Sequence, residues 1–137
     1  MVAPNGSPLP SFLREAKQQV VSRARRDRDG AFWSLSPAYR PHAEIFESSL
    51  GFGTAGILLS LLEIHQIEPD KETELLLMDG TKWLVAQLEK RGFQHGFYTG
   101  SAGVWYTLAK LESHLSGISP EWRKIMREQL RALSLQD

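Results

Sequence analysis

The sequence predicts an all-α chain: two α-hairpin repeats behind an N-terminal amphipathic helix. Three observations predict it. Gly51 to Glu63 reads GFGTAGILLSLLE and Gly96 to Leu111 reads GFYTGSAGVWYTLAKL, so that Gly53, Ala55, Gly56 and Leu61 pair with Gly100, Ala102, Gly103 and Leu108 at one constant offset of 47 residues. Self-similarity at roughly 20 to 50 residues marks a repeat architecture, in which each unit needs a neighbour to cover its apolar face. Both stretches carry apolar residues around most of a helical circumference, and each is followed by a segment with a single apolar stripe. No β-branched run is available to build parallel strands.

Taken in order, residues 1 to 8 hold Pro4, Gly6, Ser7 and Pro8 and form a loose leader. Phe12, Leu13, Ala16, Val20 and Ala24 then recur at three- and four-residue steps, which predicts a helix ending near Gly30. Arg23, Arg25, Arg26 and Arg28 are interrupted by Asp27 and Asp29 and read as a solvated helix end rather than a phosphate site. Residues 31 to 48 contain Pro37 and Pro41, and form an extended connector that Phe32, Trp33, Tyr39 and Phe46 anchor to an apolar surface. The organisation is thus residues 1–30 as leader and first helix, 31–48 as connector, and 49–137 as the two repeats.

Within the repeats, Thr54 to Gln66 is expected as an inner helix buried on most sides. Glu68-Pro69-Asp70 makes a turn with Pro69 in the first turn of the next helix. That helix, Asp70 to Lys90, reads as an outer one with Leu76, Leu77, Trp83, Leu84 and Leu88 inward. Gly80 marks a bend in its middle, since Gly costs about 1 kcal/mol in a helix interior. Arg91-Gly92 ends it. Val104, Trp105, Tyr106, Leu108, Leu111 and Leu115 form the second inner helix. Ser119 as cap, Pro120 and Glu121 open a last amphipathic helix carrying Trp122, Ile125, Met126, Leu130 and Leu133.

Composition narrows function. Lys plus Arg equals Asp plus Glu at 16 each, so no net field draws nucleic acid or an anionic membrane, and neither is expected as a partner. The chain has no cysteine, which removes disulfides, thiolate catalysis and sulfur-ligated zinc. The N-terminus lacks the pattern of a secretory signal, and the longest apolar runs, such as Ile57 to Leu62 with Ser60 within it, are far below the ~20 residues of a membrane span. A cytoplasmic location is the expectation.

The motifs are read beside their plainer alternatives. Gly51 to Gly56 is a literal G-x-G-x-x-G, yet it lacks the βαβ context of a dinucleotide site, and the second copy has Tyr98 where the first glycine would fall. Close packing explains Gly53, Gly56, Gly100 and Gly103, although helix N-termini gathered on one face would also present amide donors to a ligand. Of His42, His65, His95 and His114, no pair has metal-ligand spacing; His65 and His114 suit helix C-termini. His95 lies in the loop before the second repeat helix, beside Tyr98, as either a structural loop residue or a proton-transfer or hydrogen-bonding group facing a pocket. Glu44/Glu47 and Glu68/Asp70 are too generic to carry acid/base chemistry, and Trp33, Trp83, Trp105 and Trp122 read as core or interface aromatics.

The segments SSLGFGTAGILLSLLEIH and HGFYTGSAGVWYTLAKL resemble the repeats of the lanthionine synthetase C-like family, over about Ser48 to Leu133. That family builds an (α/α)6 toroid whose inner helices follow G-x-x-G motifs similar to Gly53–Gly56 and Gly100–Gly103. By their order the two units resemble the family's first two. The resemblance implies a partial toroid that offers peptide-binding and scaffold surface for thioether ring formation. It points to a precursor peptide, the remaining cyclase repeats or a second copy as partners; the substrate-binding candidates, His95, Tyr98 and Gly100, come from their place in the loop that enters the second repeat helix. Zinc-dependent members hold the metal with two cysteines and a histidine in late repeats and carry acid/base Asp and His motifs. None of these occurs here, so no cofactor, metal ligand or catalytic residue is expected in this chain. Either it is the N-terminal part of a longer cyclase or it is a truncated or metal-free relative. The alternative to both is a non-enzymatic helical-hairpin interaction module.

Overall fold

The computed structural model describes residues 9–34, 47–51 and 53–134. Helix α1 (Ser11–Ser22) leads into a two-stranded antiparallel hairpin, β1 (Arg25–Asp27) and β2 (Gly30–Phe32). Four helices follow: α2 (Thr54–Ile67), α3 (Lys71–Arg91), α4 (Ser101–His114) and α5 (Glu121–Ser134). Among the described residues the fold is all-α apart from that small hairpin. The leader, residues 35–46 with Pro37, Tyr39, Pro41, His42, Glu44 and Phe46, and Phe52 lie outside the described residues.

The first helix stops at Ser22, not near Gly30, because the next residues form a hairpin. Asp27 accepts a hydrogen bond from the Asp29 N–H at 2.8 Å, closing a two-residue turn. Gly30, with φ of 136°, then brings the strand backbone onto α3, where a Cβ would lie 2.2 Å from the Asp79 carbonyl oxygen. Arg25 and Arg26 therefore lie on β1 and Arg28 in its turn, while Arg23 caps the helix. Arg26 pairs with Asp79, and Asp29 pairs with Lys90 further along α3. Phe32 stacks on Trp83 with ring centroids 5.1 Å apart and planes within 12°.

Helix α3 is the element on which the others assemble. Leu76, Leu77, Trp83, Leu84 and Leu88 are buried between α2, α4 and the hairpin. It runs unbroken through Gly80. The expected bend is absent because Gly80 is a packing notch: a Cβ there would meet the Leu58 Cδ2 at 2.5 Å. At its end Gly92 adopts φ of 66°.

Pro69 precedes the helix, and Asp70 caps it. Its carboxylate accepts from the Thr73 N–H at 2.8 Å and the Thr73 hydroxyl at 2.9 Å, and pairs with the Lys17 ammonium of α1. Partial burial alone would raise the Asp70 carboxyl, but the Lys17 ammonium and the two Thr73 donors outweigh it and hold it below its ordinary 3.8. A carboxyl lowered in the folded state stabilises the fold above its unfolded value, and that stability is lost as pH falls through the folded one. Asp70→Ala is expected to cost about 0.5–2 kcal/mol at neutral pH. The same variant should lose progressively less below about pH 3, as the folded carboxyl, the last to protonate, takes up its proton. Urea midpoints at both pH values check this; an equal loss at both would discard the charge as the agent.

Helix α1 has no fully buried residue, and Phe12 of its predicted apolar stripe is 70% exposed. It is fastened from its ends instead. Leu9 is buried, Lys17 reaches Asp70, and the Trp33 indole N–H donates to the Val20 carbonyl at 2.8 Å.

Candidate functional site

The two repeats share a set of equivalent contacts at the helix N-termini. Helices α2 and α4 are both 14 residues long, start 47 positions apart at Thr54 and Ser101, and are preceded by Gly53 and Gly100 in extended conformation. The Thr54 N–H donates to the Glu47 carbonyl at 2.8 Å and the Ser101 N–H to the Gln94 carbonyl at 2.8 Å. A Cβ on Gly56 would lie 2.1 Å from the Leu50 carbonyl oxygen, and one on Gly103 would lie 2.0 Å from that of Phe97. The Ser60 hydroxyl donates to the Gly56 carbonyl, and Thr107 repeats the bond to Gly103. All of these pairs keep the 47-residue offset. The approach loops also meet, at equivalent positions, through the Gly51 N–H and the Tyr98 carbonyl at 2.7 Å. Both helices thus leave the same end of the molecule.

This geometry decides what the glycine motif does. The first amides of α2 are taken by the Glu47 and Ser48 carbonyls, and the first of α4 by Gln94. They are spent on the chain's own backbone, so the expectation of amide donors presented to a ligand fails at these positions, and no strand precedes the motif among the described residues. The glycines let each loop carbonyl sit against the helix it introduces.

The three residues expected to touch substrate are placed differently from one another. His95 is exposed and packs edge-on against Phe93, centroids 4.9 Å apart. It lines an open groove of about 600 Å³ whose apolar lining comes from Leu88, Phe93, Ile125 and Leu133, and whose polar lining includes Glu89, Glu128 and Gln129. The Gln129 amide donates to the Leu88 carbonyl at 3.0 Å, which ties α5 to the end of α3. Tyr98 and Gly100 do not line this groove. Tyr98 is 68% exposed and joins Phe97 and Tyr106 in a separate aromatic cluster, with centroids 5.4 and 5.7 Å from Phe97. Gly100 is buried, and a Cβ there would fall 2.2 Å from the His95 carbonyl oxygen, so it shapes the loop rather than its surface.

Sequence reading missed the groove wall on α5, because Glu128, Gln129 and Ala132 carry no motif. It also set Glu47 aside as too generic. Burial lifts the Glu47 carboxyl above its ordinary 4.5; the Arg91 cation opposes this, Asp27 adds to it and Arg25 opposes it. Glu47 thus sits in a charged junction of the first loop, the hairpin and the end of α3.

His65 and His114 lie in the last turns of α2 and α4. The His65 Nδ1 accepts from the Asp70 N–H at 3.4 Å, and the His114 Nδ1 lies 2.9 Å from the Lys110 carbonyl. The zinc that the resemblance implies finds no fit. The chain has no cysteine, and among the described residues no three His, Asp or Glu side chains gather in a group that could hold a metal. No helix among them is long and apolar enough to cross a membrane.

Comparison with known proteins leaves the chain without a matched relative: no family model, curated protein or solved structure matches it.

Proposed function

We propose that this chain is a lanthionine synthetase C-like helical unit that binds a precursor peptide and contributes scaffold to thioether ring formation, without carrying the chemistry alone. The observation that carries the reading is the duplicated helix approach, in which two helices leave one end of the molecule behind glycine-led loops bonded to each other. The (α/α)6 toroid of the resembled family uses such units side by side. The groove beside His95 supports the peptide-binding part. Its apolar lining suits side chains of an extended segment, and His95, Glu89 and Glu128, all exposed, supply hydrogen-bonding groups for its backbone.

Fluorescence anisotropy of a labelled precursor peptide containing Ser, Thr and Cys tests the reading. Saturable binding is expected. Ala132→Arg, at an exposed helix position lining the groove, should weaken it by about tenfold or more, equivalent to roughly 1.4 kcal/mol. Absence of binding, or binding indifferent to Ala132→Arg, would overturn it. The second reading, a non-enzymatic interaction module, is favoured by Phe97, Tyr98 and Tyr106, which are 42%, 68% and 43% exposed in one cluster.

A further inference from the structure

The repeat itself indicates what belongs against its exposed front face. At the second repeat, Leu50 of the first lies over Gly103, whose added Cβ would be 2.8 Å from the Leu50 Cβ. Around that contact Val104, Thr107, Leu108 and Leu111 are all buried. Forty-seven residues earlier the same positions are Gly56, Ile57, Ser60, Leu61 and Ile64. There Ser60 is exposed and Ile57 and Ile64 are only half-buried. With Ala16, Lys17 and Val20 of α1, these residues line an open groove of about 470 Å³. The groove lies on the face where the second repeat carries Leu50.

The matching protrusion is carried by the second repeat. The residue equivalent to Leu50 is Phe97, and Tyr98 and Tyr106 correspond to Gly51 and Leu59. These three aromatics form the exposed cluster described above. The first repeat therefore carries a socket, and the second carries the residue that the repeat places in such a socket.

We propose that the groove between α1 and α2 is the docking site for the Phe97–Tyr98 corner of a second copy of this chain. Copies then join head to tail by the contact that joins the two repeats within one chain. In that register the Tyr98 N–H of one copy donates to the Gly51 carbonyl of the next, as the Gly51 N–H donates to Tyr98 within the chain. Withdrawal of the aromatic rings from water drives the association. The interface is heterologous, since the two surfaces differ, so copies add until a ring closes or dilution stops them. The proposal rests on the repeat geometry and not on peptide binding.

Sedimentation velocity of the full chain from micromolar to millimolar concentration tests it with two variants. Ser60→Arg blocks the groove from an exposed helix position, and Phe97→Ala removes the inserted ring from a loop. Circular dichroism establishes that both remain folded. The wild-type chain should sediment faster as concentration rises, each variant alone should stay a monomer, and an equimolar mixture of the two should form a dimer that grows no further. A wild-type chain monomeric throughout, a variant that associates like the wild type, or a mixture that stays monomeric would each overturn the proposal. Peptide anisotropy on Ser60→Arg should be unchanged, which separates failure here from failure of the peptide reading.

Discussion

Gly103→Ala should lower the stability of the fold by about 2 kcal/mol, although alanine is the better helix former. In a helix interior alanine is favoured over glycine by about 1 kcal/mol, which would raise the melting temperature if nothing else changed. Here the added methyl would lie 2.0 Å from the Phe97 carbonyl oxygen and 2.8 Å from the Leu50 Cβ. Neither neighbour is the free end of a long side chain, so the methyl is accommodated only by moving the loop or the helix. Overpacking costs about 1–3 kcal/mol, and with a backbone oxygen in the way the cost falls at the upper end, leaving about 2 kcal/mol after the propensity gain. Gly56→Ala should behave alike, since its methyl would lie 2.1 Å from the Leu50 carbonyl oxygen. Thermal melts should show both midpoints falling by roughly 5–10 °C. A rise in either would mean that helix propensity, not loop contact, governs the repeat.

The same glycines explain how much of the molecule could be read in advance. Their spacing placed both repeat helices, α2 from Thr54 and α4 over Val104 to Leu111, because a glycine notch and an apolar run are local sequence features. Asp70 to Lys90 and the turn at Arg91-Gly92 were legible for the same reason. The hairpin at Arg25–Phe32 was not. Its strands are three residues long, too short for alternation to register, and Asp29-Gly30 reads as easily as a helix stop. Gly80 was misread because propensity concerns one helix, whereas the notch it forms depends on Leu58 of another. The candidate site divides along the same line. His95 was visible by its place in the loop, but the α5 surface opposite it comes from ordinary helical residues brought close by tertiary packing. The occupied helix amides were equally hidden, since only the loop conformation reveals that Glu47, Ser48 and Gln94 reach them.

Trp83 joins the unforeseen hairpin to the foreseen helices, and Trp83→Ala is expected to be the most damaging single truncation. The side chain is 2% exposed, stacks on Phe32, and donates its indole N–H to the Asp27 carboxylate at 3.3 Å. Truncating a buried tryptophan to alanine costs about 3–5 kcal/mol, a large part of the 5–15 kcal/mol typical of a whole domain. Trp83→Phe separates the contributions. It retains a ring for Phe32 but removes the bond to Asp27, so it should lose only about 1–3 kcal/mol, including the volume difference. Pairing Phe32→Leu with Trp83→Leu in a double-mutant cycle should give a coupling of about 0.5–1.5 kcal/mol, the usual range for an aromatic pair. Additive losses would place the energy in general burial and leave the hairpin a passive cover on α3. Coupled losses would make Gly30 to Phe32 part of the cooperative core, so that unfolding α3 and peeling the hairpin from it are one event rather than two.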